Sequence, residues 1–494
     1  MINANPYQLS QLLADFMPID PIHDRAITGL ALDSRDVQAG YLFFAIHGLH
    51  HDGRAYVQDA LQKGAVAIIV PGDAVQIELQ NNAIIITSSA LQQQLGHIAA
   101  RFYDEPSRAM TIVGITGTNG KTSTSHFVAS GLQQAGIPCG IIGTLGNGLL
   151  GHLQSGLFTT PQPIELQAVL ADCCAQGAKA VAMEVSSHAL DQARVQGVQF
   201  RVGVFTNLTR DHLDYHGSME AYGAVKRKLF TEYQPQYAVI NRDDPFGASL
   251  CSEVKNTVFA YGIGAPPQEL SVQGHISAHQ VELTLKGISA QVTTPWGEGL
   301  LQSCLLGRFN LSNLLAALTT LCVLEVPFVD ALRTINQQTT VPGRMQTFGN
   351  IYTPCVVVDY AHTPDALEKA LKALREHCRG VLWCVFGCGG DRDRGKRPIM
   401  AQVAEQYADH IVVTDDNPRT EDSAAIVAEI IEGFSGQHQV VIEHNRARAI
   451  SYAVERAQPG DIVLIAGKGH EDYQQIGHMR RPFSDIGHVR AIVG

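Results

Sequence analysis

The chain of 494 residues is too long for a single hydrophobic core, so we expect roughly two to four domains. Its content of 45% hydrophobic and 17% charged residues suits a soluble globular enzyme. The formal net charge of -11 argues against non-specific nucleic-acid binding, which needs a basic surface. Any anionic ligand must therefore be held by local groups, such as loop amides and single Arg or Lys side chains.

The first block of the chain, residues 1 to about 108, mixes short predicted strands with helices. Its segments "YLFFAIHG" and "AVAIIVP" have the apolar character of buried strands. The polar, proline-containing stretch "DEPSR", from Asp104 to Arg108, predicts a joint between this block and the next.

The cellular location is predicted from features that the sequence lacks. The start, "MINANPYQLSQLLADF", has no basic segment followed by an apolar core, so we expect no secretory leader. No apolar run reaches the roughly 18 residues of a membrane-spanning helix. The ten cysteines include no CxxC pair, which favours reduced thiols over a zinc site. We expect a cytoplasmic monomer with no membrane span and no nucleic-acid partner.

The second block begins with a buried strand, "AMTIVGIT", that leads into the glycine-rich turn "GTNGKT" and a helix from about Lys121. A phosphate-binding loop requires this order, although the usual loop has a glycine where Ile115 stands here. Backbone N–H groups of such a turn, together with the helix N-terminus, form a concave anion site. Lys121 can neutralise phosphate charge and the Thr122 hydroxyl can bind Mg²⁺, so we predict nucleotide binding.

Two later segments of this block place acidic, imidazole and amine groups after predicted strands. In "AMEVSSHAL" a strand ends at Glu184, which is a candidate Mg²⁺ ligand or, alternatively, a cap of the following helix. In "FTNLTRDHLDYHGSMEAYGAVKRKLF" His212 follows a strand and Lys226 lies on the next helix. A single lysine on a helix is usually a solvated surface residue, and the pattern alone predicts that for Lys226.

A third alternating block begins after "QQTTVPGRMQ", near residue 340. Its predicted strands each end in a polar, glycine-bearing turn: "PCVVVDYAH", "VLWCVFGCGG", "HIVVTDDNPR" and "DIVLIAGKGH". Open α/β sheets bind ligands at the carboxyl ends of their strands, so we expect functional residues to cluster at these turns.

Several motifs together resemble the signatures of the Mur ligase family and its folylpolyglutamate synthetase relatives. In order they are "GTNGKT", "EVSSHAL", "NLTRDHLDYHG", "GRFNLSN", "PGRM" and "DYAHTPDAL". Further motifs resemble the branch that adds the third amino acid to peptidoglycan precursors: "GDRDRGKRP", "DNPR" and "GKGHE". The resemblance covers essentially the whole chain.

The resemblance implies an α/β fold with three domains. Residues 1–108 would form a small mixed α/β N-terminal domain that binds the UDP-sugar. Residues 109–338 would form a central P-loop ATPase-like domain with a mostly parallel sheet, which binds ATP. Residues 339–494 would form a C-terminal Rossmann-like domain that binds the amino acid.

The resemblance also implies a reaction and its small-molecule partners. ATP would phosphorylate the D-glutamate carboxylate of UDP-N-acetylmuramoyl-L-alanyl-D-glutamate, and meso-2,6-diaminopimelate would attack the acyl phosphate. A tetrahedral intermediate would then release phosphate, with ADP as the other product. A carboxylate needs this activation because its charge repels a nucleophile and its oxygen leaves poorly. Catalysis of this kind is mostly positioning and neutralisation of negative charge.

Catalytic, metal and ATP roles follow motif by motif from the resemblance. Thr122 and Glu184 would bind one Mg²⁺, His212 a second, and Lys226 would be carbamylated to hold or orient this metal site. With Lys121 on the phosphates, the catalytic set is Lys121, Glu184, His212 and Lys226. Asn310 and Asn313 would contact adenine, Arg344 the γ-phosphate and Asp359 the ribose. The full ATP set is Gly117, Thr118, Asn119, Gly120, Lys121, Thr122, Ser123, Asn310, Asn313, Arg344 and Asp359.

The resemblance assigns the two other substrates in the same way. The UDP-linked dipeptide is assigned to Leu32, Ser34, Leu49, His50, His51, Thr159, Thr160, Ser186, Gln192 and Arg194. Diaminopimelate is assigned to Arg392, Asp416, Asn417, Pro418, Arg419, Gly467 and Glu471. The Arg419 guanidinium suits the distal carboxylate that diaminopimelate has and lysine lacks, because it offers two parallel hydrogen bonds.

Three alternatives stay open at this point. The lysine-adding form of the same ligase is the main rival, and a folylpolyglutamate synthetase-like ligase is more remote because it would lack the "LDSR" first domain. A nucleotide-dependent switch or binding protein would explain the phosphate loop but gives no reason for Glu184, His212 and Lys226. Phosphate release that requires both a UDP-linked acceptor and an amine separates the ligases from the switch.

Overall fold

The computed structural model describes residues 6–46, 52–80, 82–350, 352–436 and 440–493. The chain divides into two compact units. The first comprises Met1–Tyr261, Pro266–His275 and Ala316–Pro327, and the second comprises Gly262–Ala265, Ile276–Leu315 and Phe328–Gly494. In the described ranges, no helix combines the length and apolar character that crossing a membrane requires.

The N-terminal part of the first unit is a five-stranded sheet with flanking helices. Its elements are β1 (Tyr7–Gln8), α1 (Leu9–Leu12), β2 (Ala26–Ile27), β3 (Gly29–Ala31), β4 (Tyr41–Phe44), α2 (Val57–Gln62), β5 (Ala67–Pro71), β6 (Gln76–Gln80), β7 (Ala83–Ser88) and α3 (Leu91–Phe102). The order is β3-β4-β5-β7-β6, with β6 antiparallel to β7 and the other neighbours parallel. Apolar side chains such as Leu42, Ile69 and Ile84 pack with Leu95 and Ile98 of α3 in one core.

The central part of the first unit is a mostly parallel sheet with helices between its strands. Its elements are β8 (Thr111–Thr116), α4 (Lys121–Gln134), β9 (Cys139–Gly143), β10 (Gly146–Leu149), α5 (Pro163–Ala175), β11 (Ala180–Glu184), α6 (Ser187–Asp191), β12 (Val202–Phe205), α7 (Leu213–His216), α8 (Met219–Thr231), β13 (Tyr237–Asn241), α9 (Pro245–Glu253) and β14 (Thr257–Ile263). The order is β10-β9-β11-β8-β12-β13-β14, with β10 antiparallel to β9. Because β11, β8 and β12 are parallel neighbours, the loops that follow them meet at one edge of the sheet.

The N-terminal and central sheets of the first unit contact one another closely through α3. A Cβ atom at Gly96 of α3 would lie 2.2 Å from the Gln196 carbonyl oxygen, in the turn that follows α6. Gly197 has a φ of +80°, and a Cβ there would lie 2.5 Å from the Gly96 carbonyl oxygen. Two glycines therefore permit a backbone-to-backbone approach that larger residues would prevent.

An antiparallel meander and two helices follow along the chain. They are β15 (Gly274–Thr284), β16 (Gly287–Thr294), β17 (Gly297–Ser303), α10 (Arg308–Val323) and α11 (Phe328–Asn336). β15 pairs with β16 and β16 with β17, both antiparallel.

The C-terminal part of the second unit is a six-stranded sheet of Rossmann-like type. Its elements are β18 (Gln346–Phe348), β19 (Cys355–Asp359), α12 (Pro364–His377), β20 (Leu382–Phe386), α13 (Lys396–Tyr407), β21 (His410–Val413), α14 (Ser423–Ile431), β22 (Val440–Ile442), α15 (Arg446–Arg456), β23 (Ile462–Ala466), β24 (Tyr473–Ile476), β25 (Met479–Pro482) and α16 (Asp485–Val493). The order is β18-β19-β23-β20-β21-β22, parallel except for β18. β24 and β25 form a separate antiparallel pair. The predicted α/β fold class is thus confirmed.

Candidate active site

The glycine-rich turn between β8 and α4 has the backbone shape of a phosphate-binding loop. Gly117 and Gly120 adopt φ values of +145° and +84°, which favour glycine. A Cβ at Gly117 would lie 1.9 Å from the Thr206 hydroxyl oxygen at the end of β12. The Thr118 N–H also donates to the Asn207 carbonyl oxygen at 2.8 Å. The neighbouring strand end therefore holds the loop against the sheet.

Two lysine side chains contact the carbonyl oxygens of this loop. Lys121 Nζ lies 3.0 Å from the Gly117 oxygen and 2.8 Å from the Thr118 oxygen. Lys226 Nζ, from α8, lies 2.8 Å from the same Gly117 oxygen. Lys226 is 1% exposed, so its interpretation as a solvated surface residue is wrong. Burial, with Lys121 as the next contributor, lowers the pKa of Lys226 well below its ordinary value.

Thr122 and Glu184 come together as the sequence predicted. The Thr122 hydroxyl donates to Glu184 Oε2 at 3.0 Å, and the Thr144 N–H donates to Oε1 at 2.8 Å. Ser186, not Glu184, caps α6 by accepting from the Ala189 N–H, so the alternative of Glu184 as a helix cap is wrong. A hydroxyl and a carboxylate oxygen fit Mg²⁺, which takes much of its shell from water and substrate phosphates. The described residues contain no cluster of three or more His, Cys, Asp or Glu side chains able to hold a metal.

His212 stands at the start of α7 in a group of aromatic rings that the sequence did not predict. Its residue φ is +51°, and its ring lies 3.4 Å from the Asp211 carboxylate. The His188 ring centroid lies 5.0 Å from that of His212 and 4.3 Å from that of Tyr215. His216 Nε2 lies 3.0 Å from the Ser187 hydroxyl. Burial, with His212 and His216 as further causes, lowers the pKa of His188. In the sequence, the only indication of this group of rings was the repetition of histidines in "SSHAL" and "DHLDYHG".

The residues predicted for the acceptor after β10 and β11 form one hydrogen-bonded group around Glu184. The Thr160 hydroxyl donates to the Glu184 carbonyl oxygen at 2.8 Å and accepts from the Ser186 N–H at 3.1 Å. Arg194 donates to the Thr160 carbonyl oxygen at 3.1 Å and to Gln192 Oε1 at 2.6 Å. Its guanidinium carbon lies 4.8 Å from the Phe158 ring centroid. The structure thus brings this part of the predicted set together.

The other predicted acceptor residues lie in the N-terminal sheet region, at Thr159 in the central part, or outside the described residues. Ser34 is buried, and its carbonyl oxygen accepts from Lys63 Nζ at 2.9 Å. Leu32 is partly buried beside it in the chain. The Thr159 hydroxyl lies 3.2 Å from that of Thr144. Predicted residues that fall outside the described part of the chain are Leu49, His50 and His51.

In the second unit, the two predicted adenine contacts lie buried at the start of α10. Asn310 Nδ2 donates to the Leu306 carbonyl oxygen at 2.8 Å, and Asn313 Nδ2 lies 3.4 Å from Asn310 Oδ1. The preceding Gly307 N–H donates to His377 Nε2 at 2.8 Å. His377 Nδ1 lies 2.7 Å from the Thr284 carbonyl oxygen, so the ring is a neutral bridge that donates through Nδ1.

Arg344 precedes β18, and Asp359 is the last residue of β19, close enough for the Arg344 charge to act on its carboxylate. The Asp359 carboxylate accepts from the Met345 N–H at 2.7 Å and the Ala361 N–H at 2.9 Å. Burial raises the pKa of Asp359. The Arg344 guanidinium carbon lies 5.0 Å from the Tyr360 ring centroid, and its buried Nε has no hydrogen-bond partner among the described residues.

The residues predicted for diaminopimelate lie on loops after β20, β21 and β23, which are neighbours in the sheet. Arg419 has a φ of +52°, and its Nη1 donates to the Gly390 carbonyl oxygen at 2.6 Å. Arg392, on the same loop as Gly390, donates to the Asp391 carbonyl oxygen at 3.2 Å. Asn417 Nδ2 donates to Glu471 Oε2 at 2.9 Å. A Cβ at Gly467 would lie 2.5 Å from Asp416 Oδ2. Pro418 lies between Asn417 and Arg419 and contributes the turn.

Buried ion pairs that the sequence did not predict hold these loops. Arg397 is fully buried and donates to Glu421 at 2.9 Å and to Glu429 at 2.6 Å. Arg446 donates to Asp485 at 2.7 Å, with both side chains at 0% exposure. Arg397 belongs to "GDRDRGKRP", whose run of charges was the available signal for it.

The parallel sheets, together with the glycine-rich turn between β8 and α4, define an α/β protein of the nucleotide-binding class. Thr122 and Glu184 are hydrogen-bonded beside that turn. Comparison with known families then gives the family. The Mur ligase family catalytic domain matches residues 26–103. The Mur ligase middle domain matches 115–321, and the Mur ligase glutamate ligase domain matches 343–469. The chain belongs to the Mur ligase family.

The most similar relatives agree in name. A UDP-N-acetylmuramoyl-L-alanyl-D-glutamate–2,6-diaminopimelate ligase from Coxiella burnetii is 51% identical over 94% of this chain and 95% of its own length. The ligase of the same name from Pseudomonas aeruginosa is 52% identical over 94% of each chain. A solved structure of a ligase of this name is 35% identical, with a TM-score of 0.74 and 99% of both chains covered. A folylpolyglutamate synthase from Mycobacterium tuberculosis, at 18% identity and TM-score 0.59, shares the fold over 76% of this chain and 92% of its own.

Proposed function

We propose that this chain is an ATP-dependent ligase of peptidoglycan precursor synthesis in the cytoplasm. It joins meso-2,6-diaminopimelate to the D-glutamate of UDP-N-acetylmuramoyl-L-alanyl-D-glutamate and releases ADP and phosphate. The observation that carries this proposal is the 51% identity over 94% of the chain to the Coxiella burnetii ligase of that name. The domain assignment that goes with it is UDP-sugar binding by 1–108, ATP binding by 109–338 and amino-acid binding by 339–494, in the order of the matched family domains.

ATP binds at the glycine-rich loop in this proposal. Lys121 Nζ, at 2.8 Å from the Thr118 carbonyl oxygen, exchanges this contact for the β- and γ-phosphate oxygens of ATP. Thr122 and Glu184 hold Mg²⁺ through oxygen, and His212 holds a second ion. The metal supplies positive charge that offsets the charge developing on the transferred phosphoryl group. Asn310 and Asn313 contact the adenine, Arg344 the γ-phosphate and Asp359 the ribose.

Lys226 acts as a carbamate rather than as an ammonium. Its buried side chain and lowered pKa favour the neutral amine, which is the nucleophilic form. The Nζ lone pair forms a bond to the carbon of CO₂, one C–O π bond becomes a lone pair on oxygen, and the amine proton leaves to water. The product is an anion close to Lys121, so a repulsion between two like groups becomes an attraction. This anion then orients the metal-binding residues.

The acceptor carboxylate reacts next to Glu184. The group of Thr159, Thr160, Ser186, Gln192 and Arg194 contacts the acceptor, and Thr160 is bonded to the Glu184 backbone at 2.8 Å. ATP's γ-phosphoryl group passes to the carboxylate oxygen, the amine attacks the carbonyl carbon, and phosphate leaves from the tetrahedral intermediate. Arg419 binds the distal carboxylate of diaminopimelate and Glu471 binds the distal ammonium.

The proposed function is tested with a panel of amino acids, ATP and the UDP-linked dipeptide, with the product identified by mass. We expect the diaminopimelate adduct and phosphate release that requires both acceptor and amine. A lysine adduct formed in preference would support the lysine-adding alternative. Phosphate release that needs neither acceptor nor amine would support a nucleotide switch. Glu184→Gln, which removes one metal-binding charge, serves as the inactive control.

A further inference from the structure

Lys468 is a fully buried lysine in the proposed amino-acid site. The proposed mechanism gives it no role. It lies in "GKGHE", just after β23, at 0% exposure. Its Nζ donates to Asn417 Oδ1 at 3.0 Å and to Glu471 Oε2 at 2.9 Å. A buried ammonium is costly unless it is paired, so this arrangement needs both partners.

The contacts of Asn417 determine the orientation of its amide. Asn417 Oδ1 faces the Lys468 ammonium and also the Gln475 backbone N–H at 2.9 Å. Both of these groups are donors without acceptor capacity, so the amide oxygen and not the NH₂ must face them. The NH₂ group therefore points toward Glu471 Oε2, at 2.9 Å.

The same contacts leave one oxygen of Glu471 for a ligand. Oε2 accepts from both Lys468 and Asn417. Within the described part of the chain, Glu471 Oε1 has no hydrogen bond, and the side chain is 18% exposed. A carboxylate held in this way offers a single, oriented acceptor, and an ammonium is the donor that suits it best.

We propose that Lys468 is a positioning residue that selects for the distal ammonium of the incoming amino acid by orienting Asn417 and Glu471. This inference rests on the proposed function. Lys468 itself does not touch the substrate. Without its charge, Asn417 Oδ1 keeps only the Gln475 N–H and Glu471 Oε2 keeps only the Asn417 amide, so the ammonium that ties the two side chains together is lost.

The test compares diaminopimelate with 2-aminopimelate, a dicarboxylic analogue that lacks the distal amino group. The wild type should prefer diaminopimelate in kcat/KM. In Lys468→Met, that preference should fall roughly 10-fold or more, the range for losing a hydrogen bond to a charged group. The matched control is Lys372→Met, which removes the lysine of an exposed pair with Glu368 and should leave the preference unchanged.

The outcomes separate positioning from general structural support. Equal losses for both substrates in Lys468→Met would mean that the residue supports only the fold, and would overturn the proposal. If Lys468→Met does not fold, the double variant Lys468→Met/Glu471→Gln removes both charges together and its preference should match that of Glu471→Gln alone, whereas a further fall below the preference of Glu471→Gln would overturn the proposal. A wild type that makes no product with diaminopimelate would refute the proposed function and this inference together.

Discussion

The phosphate-binding loop and the proposed amino-acid site of the C-terminal sheet hold the side chains of their basic residues in different ways. At the loop, Lys121 and Lys226 contact backbone carbonyl oxygens of the loop itself. At the second site, Arg397 and Arg446 contact carboxylates from distant parts of the chain, and Lys468 contacts the nearby Glu471 carboxylate and the distant Asn417 amide oxygen. A carbonyl oxygen is a weak partner that phosphate replaces readily, whereas a buried carboxylate retains its cation. The first region is therefore arranged for exchange of partners and the second for permanence.

The largest effect that we expect is the loss of ADP formation when Mg²⁺ is removed from the phosphate-binding loop. Removal of Mg²⁺ with a chelator should stop ADP formation, because Thr122 and Glu184 supply oxygen ligands that suit Mg²⁺ better than Zn²⁺. ADP is measured by chromatography, and Mg²⁺ added back should restore its formation. Undiminished activity in the strict absence of divalent cations would refute the metal assignment.

The next largest effect that we expect is a loss of turnover when Lys226, the proposed site of carbamylation, is replaced. Lys226→Ala should lower kcat on the order of 1,000-fold, because it removes a preorganised charge from a buried site. Addition of a small carboxylic acid at high concentration should restore part of the activity. Lys228→Ala on the same helix is the control and should keep near wild-type turnover. An intact, active protein whose mass shows an unmodified Lys226 would contradict the carbamate.

The permanence of the C-terminal ion pairs is tested by stability. Asp485→Ala leaves the fully buried Arg446 without its partner and should lower the free energy of unfolding by about 3–5 kcal/mol. Denaturant unfolding of the full chain provides the measurement. Asp365→Ala, which breaks an exposed pair with Lys369, should change it little. Equal losses in the two variants would remove the distinction between permanent and exchangeable cations.

The smallest of the expected effects is on selectivity at Arg419. Arg419→Ala should lose roughly 2–5 kcal/mol of discrimination for diaminopimelate over lysine, the range for truncating one partner of a buried charge pair. Arg419→Lys should recover little, since a point charge cannot form two parallel hydrogen bonds. The ratio of kcat/KM for the two amino acids measures this. A ratio that does not change in the alanine variant, or a wild type that prefers lysine, would refute the assignment.

The same comparison explains which parts of the molecule the sequence predicted. The loop is local: glycines, Lys121 and Thr122 lie within a few positions, and the preceding apolar strand is visible in the sequence. The strand-end location of Glu184 and of the Asn417 turn followed from the α/β pattern in the same way. The burial of Lys226 did not, because the α8 pattern does not show what the helix packs against.

The ion pairs of the C-terminal sheet could not be predicted from spacing. Arg446 pairs with Asp485 and Arg397 with Glu421, and these partners come from different loops and helices. Which carboxylate meets which cation depends on strand order, and β19-β23-β20-β21 is not the order of the chain. The β15–β17 meander was also not singled out, although its alternating residues and glycine turns carry the signal of hairpins.

The close contact of Gly96 with the turn at Gln196 and Gly197 has a consequence for inhibitor design. Because the backbones themselves touch, the N-terminal and central parts of the first unit pack against each other at this point with no side chains between them. A rigid compound that mimics the proposed acceptor and contacts both parts should gain affinity over a flexible one, because it would not have to bring the two parts together on binding. Resistance by substitution at either glycine should be rare, since any side chain there would collide with main-chain atoms of the other part.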